Sequence, residues 1–184
     1  MNKTIKLFAI LGATIIFLIA VLMGTIYLAY TYLDNNVPAA VLESPDTDSF
    51  TVVTLNKADI TLQDQIGAEV ELAQAENLIP IVYFSATWCP PCQAIKKTLD
   101  DPLMIDAFSG THIIEVDVDE WEDDLLDAGY IIEFIPTFAH VDQLGYPTGV
   151  MVDGGAWGAD IPANMAPVLK SFFQNNELSQ EASR

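Results

Sequence analysis

Both cysteines of this chain stand in one short stretch, Trp88-Cys89-Pro90-Pro91-Cys92, directly after the apolar run Ile81-Val82-Tyr83-Phe84. Such a run, introduced by Pro80, reads as a central strand buried on both faces. Two thiols three positions apart, the first at the start of a helix, can close a small disulfide ring if the turn holds their sulfurs together. A helix N-terminus carries partial positive charge and unpaired N–H groups, which favour a thiolate at Cys89. A thiolate attacks disulfides and a thiol does not, so the layout suits thiol–disulfide exchange.

About forty residues later the chain reads Ile135-Pro136-Thr137. The apolar strand, the Trp88–Cys92 motif and this second motif, in that order and separation, resemble the thioredoxin superfamily, over roughly residues 50–175. The resemblance implies an α/β domain of thioredoxin fold, a central mixed β-sheet flanked by helices. It implies a cis Pro136 facing the dithiol, with the backbone of Ile135 free to pair with an extended client strand. Trp88 is then part of the docking surface, Cys89 the exposed attacking thiolate and Cys92 the resolving thiol. Other uses of the two cysteines fit less well. A structural zinc site needs about four ligands, and beyond the cysteines only His112 and His140 are available, neither at a ligand spacing. A disulfide across so short a loop adds little stability. A Cu(I) dithiolate would have no use for the Pro136 motif. Neither metal nor cofactor is therefore expected. Trp157, among its glycines, either lines the same rim or is an ordinary packed loop aromatic.

Members of the superfamily usually carry a buried Asp on the strand before the motif, assisting proton removal from the second cysteine. Six positions before Cys89 this chain has Tyr83. Glu115, on a neighbouring strand, is the candidate replacement for proton transfer; a solvated strand-end carboxylate is the alternative, and the one the sequence favours. Pro90 and Pro91 bring no N–H to a Cys89 thiolate, and the acidic surroundings also oppose negative charge on sulfur. Both effects place the Cys89 pKa nearer about 7 than about 3.5, the ends of the range for such motifs. A less stabilised thiolate makes the dithiol a better reductant. The succession of dithiol, short helix, Asp100-Asp101-Pro102 and second short helix looks more like the thioredoxin-like domains attached to transmembrane thiol–disulfide interchange proteins.

Residues 7–30 contain no charged side chain. As a helix they would extend about 36 Å, enough to cross a hydrocarbon core of about 30 Å. A cleavable signal has an apolar region of only about 7–15 residues, so an uncleaved anchor is expected. Lys3 and Lys6 precede the run and no basic residue follows before Lys57, which places the N-terminus in the cytoplasm and the remainder outside it. The expected plan is a cytoplasmic N-terminus and transmembrane signal anchor (1–33), a flexible linker (34–49), a thioredoxin-like domain (50–176) and a polar tail (177–184).

Within the domain, strands are expected over 50–55, 81–85, 113–118, 136–141 and 148–152. Helices are expected over 61–76, 89–99, 103–108, 120–128 and 162–174. Eight carboxylates fall between Glu115 and Asp127, and the net charge is −19. They read as a solvated helix face rather than a cation site, since the ligand order of an EF-hand is absent. After the apolar run only Lys57, Lys96, Lys97, Lys170 and Arg184 are basic, which excludes nucleic acid as a partner.

The expected function is a thiol–disulfide oxidoreductase that reduces or isomerises disulfides of extracytoplasmic, periplasmic-side proteins through Cys89 and Cys92. Two cysteines cannot recharge themselves, so a membrane thiol–disulfide electron donor is expected beside the disulfide-containing clients. The alternatives are a disulfide-forming oxidase and a non-catalytic binding or chaperone module.

Overall fold

The computed structural model describes residues 21–25, 27, 49–57 and 60–175. The chain divides into two compact units, Met1–Glu43 and Ser44–Arg184. Among the described residues no helix is long and apolar enough to cross a membrane. The expected anchor lies mostly, and the linker over 34–48 and tail over 177–184 wholly, outside the described residues.

The second unit is built on five strands: β1 (Thr51–Thr54), β2 (Ile79–Ser85), β3 (Thr111–Asp117), β4 (Thr137–Val141) and β5 (Pro147–Asp153). Their spatial order is β1-β3-β2-β4-β5. The first three run parallel, while β4 pairs antiparallel with β2 and β5 antiparallel with β4. The sheet is therefore mixed, with the strand that leads into the cysteines at its centre. Period-two alternation sends Ile81 and Tyr83 to one face of β2 and Val82 and Phe84 to the other, each into its own apolar cluster.

Four helices cover the two faces: α1 (Leu62–Ala75), α2 (Pro90–Lys97), α3 (Pro102–Phe108) and α4 (Pro162–Gln174). Leu62, Ile66 and Val70 of α1 lie at helical spacing and pack on the Val82/Phe84 face. Ile95 of α2, Phe108 of α3, and Leu169 and Phe173 of α4 pack on the other. Thr61 caps α1 by accepting from the Asp64 N–H at 3.1 Å, and Asp101 caps α3 by accepting from the Leu103 N–H at 2.9 Å. Proline opens α2, α3 and α4, where its missing N–H costs no helical bond.

The expected helix over 120–128 is not formed; the segment is a run of turns. Its backbone bonds alternate in span, Asp124 N–H to Trp121 O and then Ala128 N–H to Asp124 O. A regular helix there would bring Glu120 beside Asp123 and Asp124, and Asp123 beside Asp127, all like-charged neighbours. Trp121 is meanwhile drawn into the apolar cluster below. The turns close at Gly129, with the Tyr130 N–H bonding Leu125 O at 2.8 Å and the Gly129 N–H bonding Leu126 O at 3.0 Å. Gly129 takes the left-handed backbone (φ 85°) that such a closure needs. The Gly154-to-Gly158 loop begins as a short 3-10 helix, Gly154–Ala156.

Candidate active site

Strand β2 ends at Ser85, and the chain turns through Ala86 into the cysteine motif. The Cys89 N–H bonds Ala86 O at 3.2 Å, and the Gln93 side-chain amide ties back to Thr87 O at 2.6 Å. Cys89 is the N-cap of α2 and Cys92 lies in its first turn. The two are joined as a disulfide, with Cα atoms 5.3 Å apart. The Cys89 sulfur accepts the Cys92 N–H at 3.2 Å. Pro90 and Pro91 fill the positions whose N–H groups would otherwise crowd that sulfur, so a single backbone donor serves it.

Cys89 is only 2% exposed, which corrects the expectation of an exposed sulfur. In this oxidised form both cysteines belong to the apolar cluster under α2, with Tyr83, Ala86 and Trp157. Trp157 is buried there too, its indole N–H donating to Asp160 Oδ1 at 3.0 Å, and is a packed aromatic rather than a rim residue.

The second motif returns to the same place. The Ile135–Pro136 bond is cis, and Pro91 shares one cleft with Ile135 and Pro136. Gly154 backs this proline: its N–H donates to Pro136 O at 3.0 Å, and a Cβ there would stand 3.1 Å from Pro136 Cδ. Neither the N–H nor the C=O of Ile135 has a hydrogen-bond partner among the described residues. Trp88 is 62% exposed beside the dithiol, its indole N–H held by Asp119 Oδ2 at 2.6 Å.

Glu115 departs from the solvated strand-end reading. It pairs in register with Tyr83 and is 3% exposed, on the sheet face that α2 covers. Its Oε1 accepts from Ser85 Oγ and from Lys96 Nζ, each at 2.5 Å, and its Oε2 from Thr54 Oγ1 at 2.9 Å. Lys96 lies one helical turn beyond Cys92 on α2, so this buried carboxylate is tied to the helix that carries the cysteines. The Tyr83 hydroxyl is buried with no partner. Burial, and secondarily the Glu115 charge, holds it well above the ordinary tyrosine range, so it stays protonated. Lys96, Ser85, Thr54 and Asp119 were not singled out from the sequence. Only the first two left a trace there, Lys96 four positions after Cys92 and Ser85 two after Tyr83.

Phe134 was also missed. It is 66% exposed and borders three clefts at once, with Trp88 in one, Pro136 in another and Met151 in the third. Its position directly before Ile135-Pro136 was the available signal.

The family model described as thioredoxin matches residues 67–150, a span that holds both motifs. Thioredoxin of Mus musculus is 39% identical over 67 residues, 36% of this chain and 60% of that protein. Thioredoxin of Gallus gallus is 42% identical over 55 residues, 30% of this chain and 50% of that protein. The matched stretch is thus at most 60% of the length of these two relatives. Among solved structures, that of a disulphide isomerase from Xylella fastidiosa Temecula1 is 18% identical, covering 68% of this chain and 98% of that one, with a TM-score of 0.48.

Proposed function

We infer that the thioredoxin-superfamily domain of this chain is a protein thiol–disulfide oxidoreductase working through the Cys89/Cys92 couple. One observation carries the reading: the two cysteines are joined as a disulfide at the N-terminus of α2. In the reduced form the Cys89 thiolate attacks a client disulfide, forming a mixed disulfide and expelling one client thiolate. Cys92 then loses its proton and attacks the Cys89 sulfur, which closes the ring and releases the second client thiolate. Two electrons pass to the client, and an external dithiol must return them. Glu115 is the proposed acceptor of the Cys92 proton, supported by its burial on the α2 face and its pairing with Lys96. Ile135 offers its unpaired backbone groups to an extended client segment.

We read the direction as reduction or isomerisation. Pro90 and Pro91 leave the Cys89 sulfur one backbone donor, a weak stabilisation for a thiolate. The uncharged run over residues 7–30 and the lysines before it favour a membrane-tethered domain on the extracytoplasmic side, served by a membrane thiol–disulfide donor. Insulin reduction by the full-length protein tests the activity. The expected result is turnover with dithiothreitol as donor, lost to background in Cys89→Ser. Equal rates for both proteins would leave only a binding module. A couple potential near −270 mV is expected, and one near −120 mV would identify an oxidase instead.

A further inference from the structure

The clefts beside the cysteine motif and Pro136 are lined by one sign of charge only. Asp119, Glu122 and Glu133 line the cleft beside Trp88, of about 270 Å3. Asp153 and Asp160 line the cleft beside Pro136. No lysine, arginine or histidine lines either cleft or the third one at Phe134. The ion pairs among the described residues all lie elsewhere: Lys57–Asp124, Lys96–Glu115, His112–Glu69 and Lys170–Asp106. Asp119 and Asp160 are engaged by indole N–H groups and Asp153 by the Gly155 N–H at 2.7 Å, which leaves their charge uncompensated. Glu122 and Glu133 are exposed and have no hydrogen-bond or ion-pair partner among the described residues. Between the carboxylates stand the exposed rings of Trp88 and Phe134.

We propose that this groove selects client polypeptides in which the reacting disulfide is flanked by lysine or arginine within an extended, partly apolar segment, a selectivity that rests on the oxidoreductase reading above. An extended segment rises about 3.3 Å per residue with side chains alternating in direction. With its cysteine at the dithiol, basic side chains a few positions away reach the carboxylates on either side, and an apolar one rests on Trp88 or Phe134. A cleft lined by one sign raises the local concentration and association rate of the opposite sign. It also repels a second copy of this chain, which would present the same carboxylates.

The test uses the full-length protein, reduced, with two disulfide-bonded peptides that differ only in lysine or glutamate flanking the cysteines. Hydroxyethyl disulfide serves as an uncharged reference. The rate constant for the lysine peptide should exceed that for the glutamate peptide by about tenfold or more at low ionic strength. The ratio should fall toward one in about 0.5 M NaCl. E122Q combined with E133Q should lower it at least about threefold, and E71Q combined with E76Q, the same charge change on exposed positions of α1 and its C-cap, should leave it in place. A ratio near one in the unaltered protein overturns the proposal. So does an equal loss in both double variants, which would assign the preference to the net charge of the chain. If hydroxyethyl disulfide itself does not react, the oxidoreductase reading falls, and this selectivity falls with it.

Discussion

Glu115 holds three donors around one buried carboxylate: the hydroxyls of Ser85 and Thr54 and the ammonium of Lys96. Removing it strands the buried Ser85 hydroxyl without its acceptor, while Thr54, which is exposed, and Lys96, half exposed at 46%, turn to water. Glu115→Ala should therefore cost about 1–3 kcal/mol in urea unfolding. If it also receives the Cys92 proton, the pH profile of insulin reduction should change shape, which lost stability alone would not cause. His140 is a second buried ionisable residue, 2% exposed, its Nε2 2.9 Å from the Phe172 carbonyl oxygen it must donate to. Burial lowers its pKa below the ordinary value, against a smaller opposing effect of that hydrogen bond. The unfolded chain then binds a proton that the folded one refuses. Stability should be complete above about pH 6.5 and decline as the pH falls below it, toward the depressed folded value. Urea midpoints at pH 7 and pH 5 measure the decline, and His140→Gln should make it smaller. Neither environment was legible in the sequence. Glu115 shows only as a charge in an apolar strand and His140 as a polar residue in another, and their partners lie up to sixty-one positions away.

Among the elements, α2 is short and derives its placement from what precedes it. Strand β2 is central, so the turn after it opens over the sheet, and the prolines at the helix start leave the Cys89 sulfur its one donor. Pro90-Pro91, the apolar strand and the Ile135-Pro136 pair were all readable as local chemistry. The acidic segment was misread because Gly129 after it fits the C-cap of a helix as well as the close of a run of turns. The repulsion among its carboxylates, and the burial of Trp121, decide for turns. Gly129 closes those turns in a left-handed conformation, and an added Cβ would lie 3.3 Å from Pro147 Cγ. Gly129→Ala should lower stability by about 1–2 kcal/mol in urea unfolding, and Asn, which tolerates that backbone better, should lose less.

For the whole molecule the decisive quantity is a net charge of −19, against four ion pairs among the described residues. Self-repulsion opposes the compact state and is screened by salt. Raising NaCl from about 0.05 M to about 0.5 M should therefore raise the melting temperature, read by circular dichroism. The same screening should weaken the groove's preference for cationic clients, so stability and selectivity should move in opposite directions. By itself the sequence determined the strand and helix periods, the redox pair and the companion proline motif, because these depend on neighbours a few positions apart. Tertiary structure alone decided that Cys89 is covered in the disulfide form, that Glu115 is buried under α2, and that Phe134 and five carboxylates line the clefts beside Trp88 and Pro136. Those outcomes depend on which faces of separate elements meet, and chain order does not encode that directly.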